Sequence, residues 1–378
     1  MWLVAAGHST LSFSKPSLFM DSYKVKAYGA TNSIFSGLKE MEIERYAPKA
    51  DEVHIEVLYC GVCHSDLHQV KNDWHNTIYP CVPGHEVLGR VKEAGSAVTK
   101  FKVGDIVGVG CMVDSCGTCP ACQEKEENYC EGPVSWTATY NGYMKPENED
   151  FNTFGGYSTD IVVKESFVLS IPSALNIQAA APILCAGVTT YSPMKYWGVG
   201  PGKSVAIVGI GGLGHMAVQI ARALGATVTA VTRDKEKQAA AEQLGAHEVL
   251  ISTDADAMKA HELKFDFILI TIPDAFEVND YVKLAKRNGV LTTVGLLGPY
   301  KAPLNNQEVA MHRRSIAGSI IGSIAETQEV LDFCAEHNIA PEVQVIDIQD
   351  INKAYDQMQD EEVRFRYVID MASLKQEA

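Results

Sequence analysis

The sequence contains no uninterrupted apolar run of the roughly 20 residues that a membrane-spanning helix requires, so no membrane is expected among its partners. Basic residues are also scarce: 32 Lys and Arg stand against 47 Asp and Glu, a net charge of −15. That balance excludes a general nucleic-acid surface, although a few local cations would still serve a phosphate-bearing cofactor. No basic residue precedes the apolar start Met1-Trp2-Leu3-Val4-Ala5-Ala6, and polar Gly7-His8-Ser9-Thr10 follows at once. A secretory signal needs a charged start and a longer apolar core. Residues 1–22 are therefore read as a disordered N-terminal extension or an upstream start, with Met20 just before the alternating Tyr23-Lys24-Val25-Lys26-Ala27. Without a signal, ten cysteines point to metal or reduced thiols and not to a disulfide framework, and the cytoplasm is the expected compartment.

What is present is an ordinary globular composition, 46% hydrophobic and 21% charged, in 378 residues, which is length for two domains. One stretch concentrates chemistry: Cys63-His64-Ser65-Asp66-Leu67-His68, followed by Gly84-His85-Glu86. Cys63 and His85 are ligands of the kind that Zn²⁺ takes, and a catalytic zinc keeps three protein ligands and one open position. In an extended segment Ser65, two residues past the cysteine, would leave the same face as the thiolate. A substrate oxygen at the open position would need its proton relayed there, and His68 could pass that proton to solvent. The plainer alternative is that these are ordinary core cysteines and surface histidines.

A second cluster, Cys116-x2-Cys119-x2-Cys122-x7-Cys130 on a turn-rich segment, lets four thiolates converge on one tetrahedral zinc. With no non-sulfur ligand beside it, that site, in a lobe of about residues 111–132, reads as structural. Cys60, Cys81, Cys111 and Cys334 read as small buried hydrophobes. Around these clusters, short apolar runs such as Val53–Leu58, Val87–Val91 and Asp105–Val109 alternate with turns, which predicts a compact barrel-like β domain. His54 and His75 are placed on its surface.

The pattern changes near residue 185. The strand Ser204–Val208 runs into Gly209-Ile210-Gly211-Gly212-Leu213-Gly214, a helix follows through Leu224, and a second strand spans Ala226–Thr232. That context makes the glycine motif a dinucleotide-binding turn, with the pyrophosphate at a helix N-terminus. Strands at Glu248–Ile251, Phe265–Ile270 and Gly289–Gly295, with helices at Asp234–Leu244 and Ala275–Arg287, predict a doubly wound parallel sheet. His215, just inside the first helix, is assigned to packing. The second strand ends without the acid that usually holds the ribose of NAD: Thr232 and Arg233 stand there, with Lys237 further on. A hydroxyl, a guanidinium and an ammonium suit the 2′-phosphate of NADP(H).

Together these motifs, with Leu184-Cys185-Ala186-Gly187-Val188-Thr189, make the chain resemble the zinc-dependent medium-chain alcohol dehydrogenases over residues 23–371. The branch it resembles holds the cinnamyl alcohol dehydrogenases and their broad-specificity NADP-dependent relatives. The resemblance implies an α/β architecture, with a GroES-like β-barrel-type catalytic domain and a Rossmann doubly wound parallel-sheet cofactor domain. The divisions would be 23–184 (catalytic), 185–325 (NADP-binding) and 326–378 (a C-terminal return to the catalytic domain). It also supplies Cys185 as third catalytic ligand beside Cys63 and His85; from spacing alone Cys185 reads as buried packing. Glu86 would be an occasional ligand and Asp66 would orient His85. His64 would reach the cofactor pyrophosphate, Thr189 would touch the nicotinamide, and Val294 would join Gly209, Gly211, Gly212, Leu213 and Gly214 in the cofactor site. Trp74, Met112 and Trp136 are candidate pocket walls. The implied enzyme transfers hydride between NADPH and primary alcohol/aldehyde pairs, carries two zinc ions per chain and forms a homodimer. An NAD-dependent polyol dehydrogenase and a non-enzymatic zinc-binding protein are the rival readings.

Overall fold

The computed structural model describes residues 22–145, 151–294, 300–359 and 366–375. The expected N-terminal extension, apart from Ser22, lies outside the described residues, as does Gly295, the expected end of the strand from Gly289.

Six parallel strands form one sheet, in the spatial order Glu248–Ile251, Thr227–Thr232, Ser204–Val208, Phe265–Ile270, Ala285–Val294, Ser315–Ser319. Numbered along the chain this is the order 3-2-1-4-5-6 of the Rossmann sheet, whose ligand crevice opens where strand 1 meets strand 4. Val205, Ala206, Ile207 and Val208 are all buried, as a strand covered by helices on both faces requires. The helix expected over Ala275–Arg287 shrinks to Val278–Val282, and the strand begins already at Ala285. Ala285 pairs with Phe265, and a register shift before Phe267 absorbs the extra residues. Residues 285–287, read as the end of a helix, are thus claimed by the sheet.

The second sheet is mixed and is organised by the long strand Glu52–Val62. Residues 52–56 pair with Asp160–Lys164, residues 53–60 with Val87–Ala94, and residues 59–62 with Arg366–Asp370. The far end of the chain is therefore knitted beside Cys60 and Val62. Between the two sheets lies the helix Ala186–Tyr196, whose residues 186–194 are all buried. Such a helix serves as a shared wall.

His54 corrects a sequence expectation. It is buried, with Nε2 2.9 Å from Asp160 Oδ1 and 3.0 Å from the Tyr23 hydroxyl. Lys92 donates to the same Asp160 oxygen at 2.8 Å. Alternation along a strand did not reveal that the far face is covered by the Ser22–Gly29 and Lys39–Tyr46 hairpin.

Candidate active site

Cys63 follows the last residue of the long strand and is the N-cap of the helix His64–Val70. The extended Cys63–Ser65 segment expected from the sequence is therefore not formed, and Ser65 sits at the second helical position. The cause is Asp66, whose Oδ2 accepts the Cys63 N–H at 2.9 Å and folds the chain into a turn. Its other oxygen accepts the Gly84 N–H at 3.0 Å and lies 3.0 Å from His85 Nδ1. A buried carboxylate on Nδ1 fixes the proton there and turns the Nε2 lone pair outward. Cys185 arrives from elsewhere as N-cap of the shared-wall helix.

These elements bring ligand atoms of Cys63, His85, Glu86 and Cys185 within 4.8 Å of one another. Glu86 is paired with Arg366, which is buried like its partner. Arg366 escaped sequence reasoning because it lies 280 residues from Glu86 and carries no motif. Hydrogen bonding with Cys185 draws the Cys63 thiol pKa well below its ordinary value, against burial and with help from His85 and Arg366. Hydrogen bonds with Cys111 and Cys63, then burial, push Cys185 well above its own. Cys111 is thus half-buried against the cluster, whereas Cys60, Cys81 and Cys334 are buried as expected.

The donor set fits zinc: two thiols, an imidazole nitrogen and a carboxylate. Glu86 Oε2 is buried and has no hydrogen-bond partner among the described residues, a costly state unless a ligand completes it. Arg366 balances the carboxylate, and two thiolates would balance a divalent ion, so the charge of the buried set closes.

Ser65 and His68 are one helical turn apart, and His68 Nδ1 lies 2.8 Å from Asp73 Oδ2. The His64 and His68 rings are 6.3 Å apart, and His64 is exposed. Of the pocket candidates, Trp74 lies 5.8 Å from the His68 ring, while Met112 and Trp136 are buried in the mixed-sheet core. The aromatic ring packed on His85 is Tyr140, at 5.6 Å. No spacing rule could have singled it out.

Along the crevice, Gly209 has φ +94°, and a Cβ on Gly214 would sit 1.9 Å from the Gly209 carbonyl oxygen. Both positions need glycine. Gly211 faces open space, and the helix that starts at Gly214 has no side-chain cap on its Leu213 N-cap, leaving N–H groups for an anion. Thr232 is buried and its hydroxyl accepts the Asp234 N–H at 3.2 Å. Asp234 itself caps the next turn, its Oδ1 accepting the Glu236 N–H at 2.7 Å, so one of its oxygens is engaged locally. Arg233 is exposed beside it, Lys237 is half-buried one turn on, and Val294 closes its own strand. The Thr189 hydroxyl, four residues past Cys185, is buried without a partner among the described residues. An orphan donor between the cluster and the crevice fits a polar group of a dinucleotide.

Sulfur ligands of Cys116, Cys119, Cys122 and Cys130 also lie within 4.8 Å of one another. Backbone N–H groups of Cys119, Glu131 and Gly132 point at Cys116, Cys119 and Cys130 sulfurs over 3.3–3.4 Å. The amides of Thr118 and Cys119 lower the Cys116 thiol to about 6, and burial pushes Cys122 up to about 12.

The sequence profile described as "Alcohol dehydrogenase GroES-like domain" matches residues 49–173, and "Zinc-binding dehydrogenase" matches residues 212–336. The aldehyde reductase YahK of Escherichia coli is 50% identical over 93% of this chain and 99% of its own. A cinnamyl alcohol dehydrogenase from Sorghum bicolor superposes with a TM-score of 0.88 at 40% identity, over 94% of this chain and all of that one. The Helicobacter pylori enzyme complexed with NADP(H) gives 0.85 at 39% identity, over 93% and 99%.

Proposed function

We propose a specific activity from a general premise: the chain belongs to the zinc-binding alcohol dehydrogenases, built of a GroES-like domain and a Rossmann-type domain. It reduces aldehydes to primary alcohols with NADPH, and runs the reverse oxidation with NADP⁺. One observation carries this reading. The shared-wall helix starts at Cys185 in the donor cluster and, one turn later, presents the orphan hydroxyl of Thr189, whose N–H donates to the Cys185 carbonyl at 2.9 Å. Metal ligand and cofactor contact are thus on one rigid turn.

In this reading Cys63, His85 and Cys185 hold a catalytic zinc, Glu86 stands behind it, and Cys116, Cys119, Cys122 and Cys130 hold a structural one. The catalytic ion, when bound, supplies Lewis acidity to the substrate oxygen; NADPH, when bound, supplies the hydride. The protein's own groups do the rest. Asp66 fixes the His85 tautomer. Ser65 hands its hydroxyl proton to the substrate oxygen, and His68, held by Asp73, replaces that proton from solvent. Thr189 orients the nicotinamide amide, Gly209 through Gly214 receive the pyrophosphate with His64, and Val294 packs on the nicotinamide side. Thr232, Arg233 and Lys237 take the 2′-phosphate. Trp74, Met112 and Trp136 shape an apolar pocket for aromatic or aliphatic groups.

Residues 23–184 and 326–378 form the catalytic unit and 185–325 the cofactor unit, with the Ser315–Ser319 edge strand offered to a second copy in a homodimer. All ten cysteines are free, which suits a reducing compartment such as the cytoplasm. Among the described residues no helix is long and apolar enough to cross a membrane.

The test is kcat/KM for NADPH and NADH with one aldehyde. The expected preference for NADPH is at least about tenfold, only about 1.4 kcal/mol of differential binding. Thr232→Asp with Arg233→Ile should shrink or invert it, because a carboxylate accepts from a ribose diol and repels a phosphate. Equal efficiency in the wild type would remove the 2′-phosphate assignment. The polyol reading would instead be favoured by NAD preference with sorbitol- or mannitol-type substrates.

A further inference from the structure

The connector that leaves the parallel sheet after Ser319 and enters the helix Ile324–Glu336 contains a conformational anomaly. Ile321 has φ +42°, in the left-handed region that a β-branched residue avoids. Next to it, a Cβ on Gly322 would lie 2.4 Å from Val188 Cγ2. The connector is therefore flush against the residue that precedes Thr189, on the turn that carries both Cys185 and the orphan hydroxyl.

Something must hold the backbone there, and two side chains from the four-cysteine lobe do. Asn128, 3% exposed, donates from Nδ2 to the Ile320 carbonyl at 3.0 Å. Glu127 accepts the Ile324 N–H at Oε2, 3.3 Å away. These neighbours, lying between Cys122 and Cys130, grip the chain on both sides of the strained residue. Ile320, Ile321 and Ile324 also pack on the core cluster that includes the lobe cysteines. Ser323 caps the helix by its own exchange with Glu326, at 3.1 Å in each direction, so Glu127 and Asn128 are not needed to start the helix.

We infer that Glu127 and Asn128 are positioning residues for the dehydrogenase reaction: they clamp the connector Ile320–Ile324 and thereby seat the Val188–Thr189 turn against the bound nicotinamide. The lobe is then more than a staple of its own fold. The polar grip lies on the lobe side and the steric contact on the cofactor side, with the strained Ile321 between them. Coupling between such sites runs through elements with two discrete arrangements, and a φ that favours glycine gives the connector a second arrangement as soon as its clamp is cut.

The inference rests on the cofactor assignment for Thr189, so the test has one arm that needs no cofactor. In the metal-loaded protein without nucleotide, Asn128→Ala should speed amide hydrogen exchange across residues 320–326 while leaving the later turns of that helix unchanged. In the second arm, Asn128→Ala should raise KM for whichever nicotinamide dinucleotide the wild type uses by about fivefold, with kcat changed less than about twofold. Ile321→Gly in the Asn128→Ala background should restore KM to within about twofold, because glycine takes the left-handed conformation unaided. A purely structural role predicts no such rescue. Glu127→Ala is the second variant, with the same expected direction, should Asn128→Ala fail to fold. Unchanged exchange would overturn the clamp. Faster exchange with unchanged KM, or a double variant as impaired as the single one, would overturn its reach to the cofactor. A wild type inactive with either dinucleotide would strike the proposed function, while the exchange arm still decided the clamp.

Discussion

The two sulfur centres of this chain are built on opposite principles. The Cys116–Cys130 lobe draws all its ligands from 15 consecutive residues, leaves Cys116 and Cys119 half-exposed, and meets its sulfurs with backbone N–H groups. The Cys63 centre draws its donor residues from three separated segments, buries His85, Glu86 and Cys185, and sets Asp66 against His85 and Arg366 against Glu86. A site closed by local backbone can hold an ion but has no unmet group to offer a substrate. A site assembled across the fold keeps a carboxylate oxygen, on Glu86, and a hydroxyl, on Thr189, that have no partner among the described residues. Distance in sequence is what lets the second centre stay incomplete, and incompleteness is what chemistry uses.

The largest effects should break the two centres differently. On the proposed function, Cys185→Ser removes a ligand from the Cys63 centre, where a bound metal would supply several kcal/mol of transition-state stabilisation. Turnover should fall by about a thousandfold or more, with the thermal transition little changed. Cys119→Ser should instead lower the thermal transition and yield, since losing one thiolate releases a lobe whose folding is coupled to its metal. Calorimetry beside a turnover assay separates the outcomes. If Cys119→Ser lost activity with its transition intact, the division of labour would be wrong. Next in size, Ser65→Ala should retain wild-type metal content yet lose roughly two decades in turnover, the scale of a positioned proton transfer. Unchanged turnover would remove Ser65 from the relay despite its helical position. Smaller again, Asp66→Ala should weaken metal retention at the Cys63 centre by about 10–100-fold, read by chelator competition, while leaving the lobe's metal in place.

The same contrast explains what the sequence could tell. The lobe was legible because its geometry is its spacing. Five strands of the Rossmann sheet were legible because each contains an apolar run and the glycine turn names its neighbours; the edge strand Ser315–Ser319, with only Ile316 and Ala317 apolar, was not. Of the Cys63 centre, Cys63 and His85 could be paired because both stand in a short reactive stretch. Cys185 came only through resemblance, and Arg366, Tyr140 and Cys111 came not at all, because they reach the centre through sheet pairing and packing. Ser65 was expected on an extended segment, and period-two reasoning missed the helix that Asp66 starts. His54 failed for a related reason. Alternation tells which residues share a face, and only the pairing of the Ser22–Gly29 hairpin tells that the face is covered.

His54 also provides a control for the comparison, since its end of the Glu52–Val62 strand buries a carboxylate, Asp160, that belongs to neither donor cluster among the described residues. Burial opposes ionisation of Asp160, but hydrogen bonds from His54 and Lys92 outweigh it and hold the carboxyl below the ordinary range. A carboxylate with a depressed folded pKa stabilises the fold fully above its unfolded value, about 3.9. That contribution fades as pH falls toward the lower folded value. Asp160→Asn should therefore cost about 2 kcal/mol at pH 7, the scale of charged hydrogen bonds left unmade, and the gap between variant and wild type should narrow below about pH 4. Urea unfolding at pH 7 and pH 3 measures it. Because Cys63 lies beyond the other end of the strand, kcat/KM at pH 7 should stay within about twofold of wild type, as expected of distant independent sites. A gap that persisted in full at pH 3 would show that shape, not charge, holds this end of the strand. A large loss of kcat/KM would show that the strand transmits strain from the Asp160 cluster to the Cys63 centre, and the separation of holding from reacting would then fail along its own backbone.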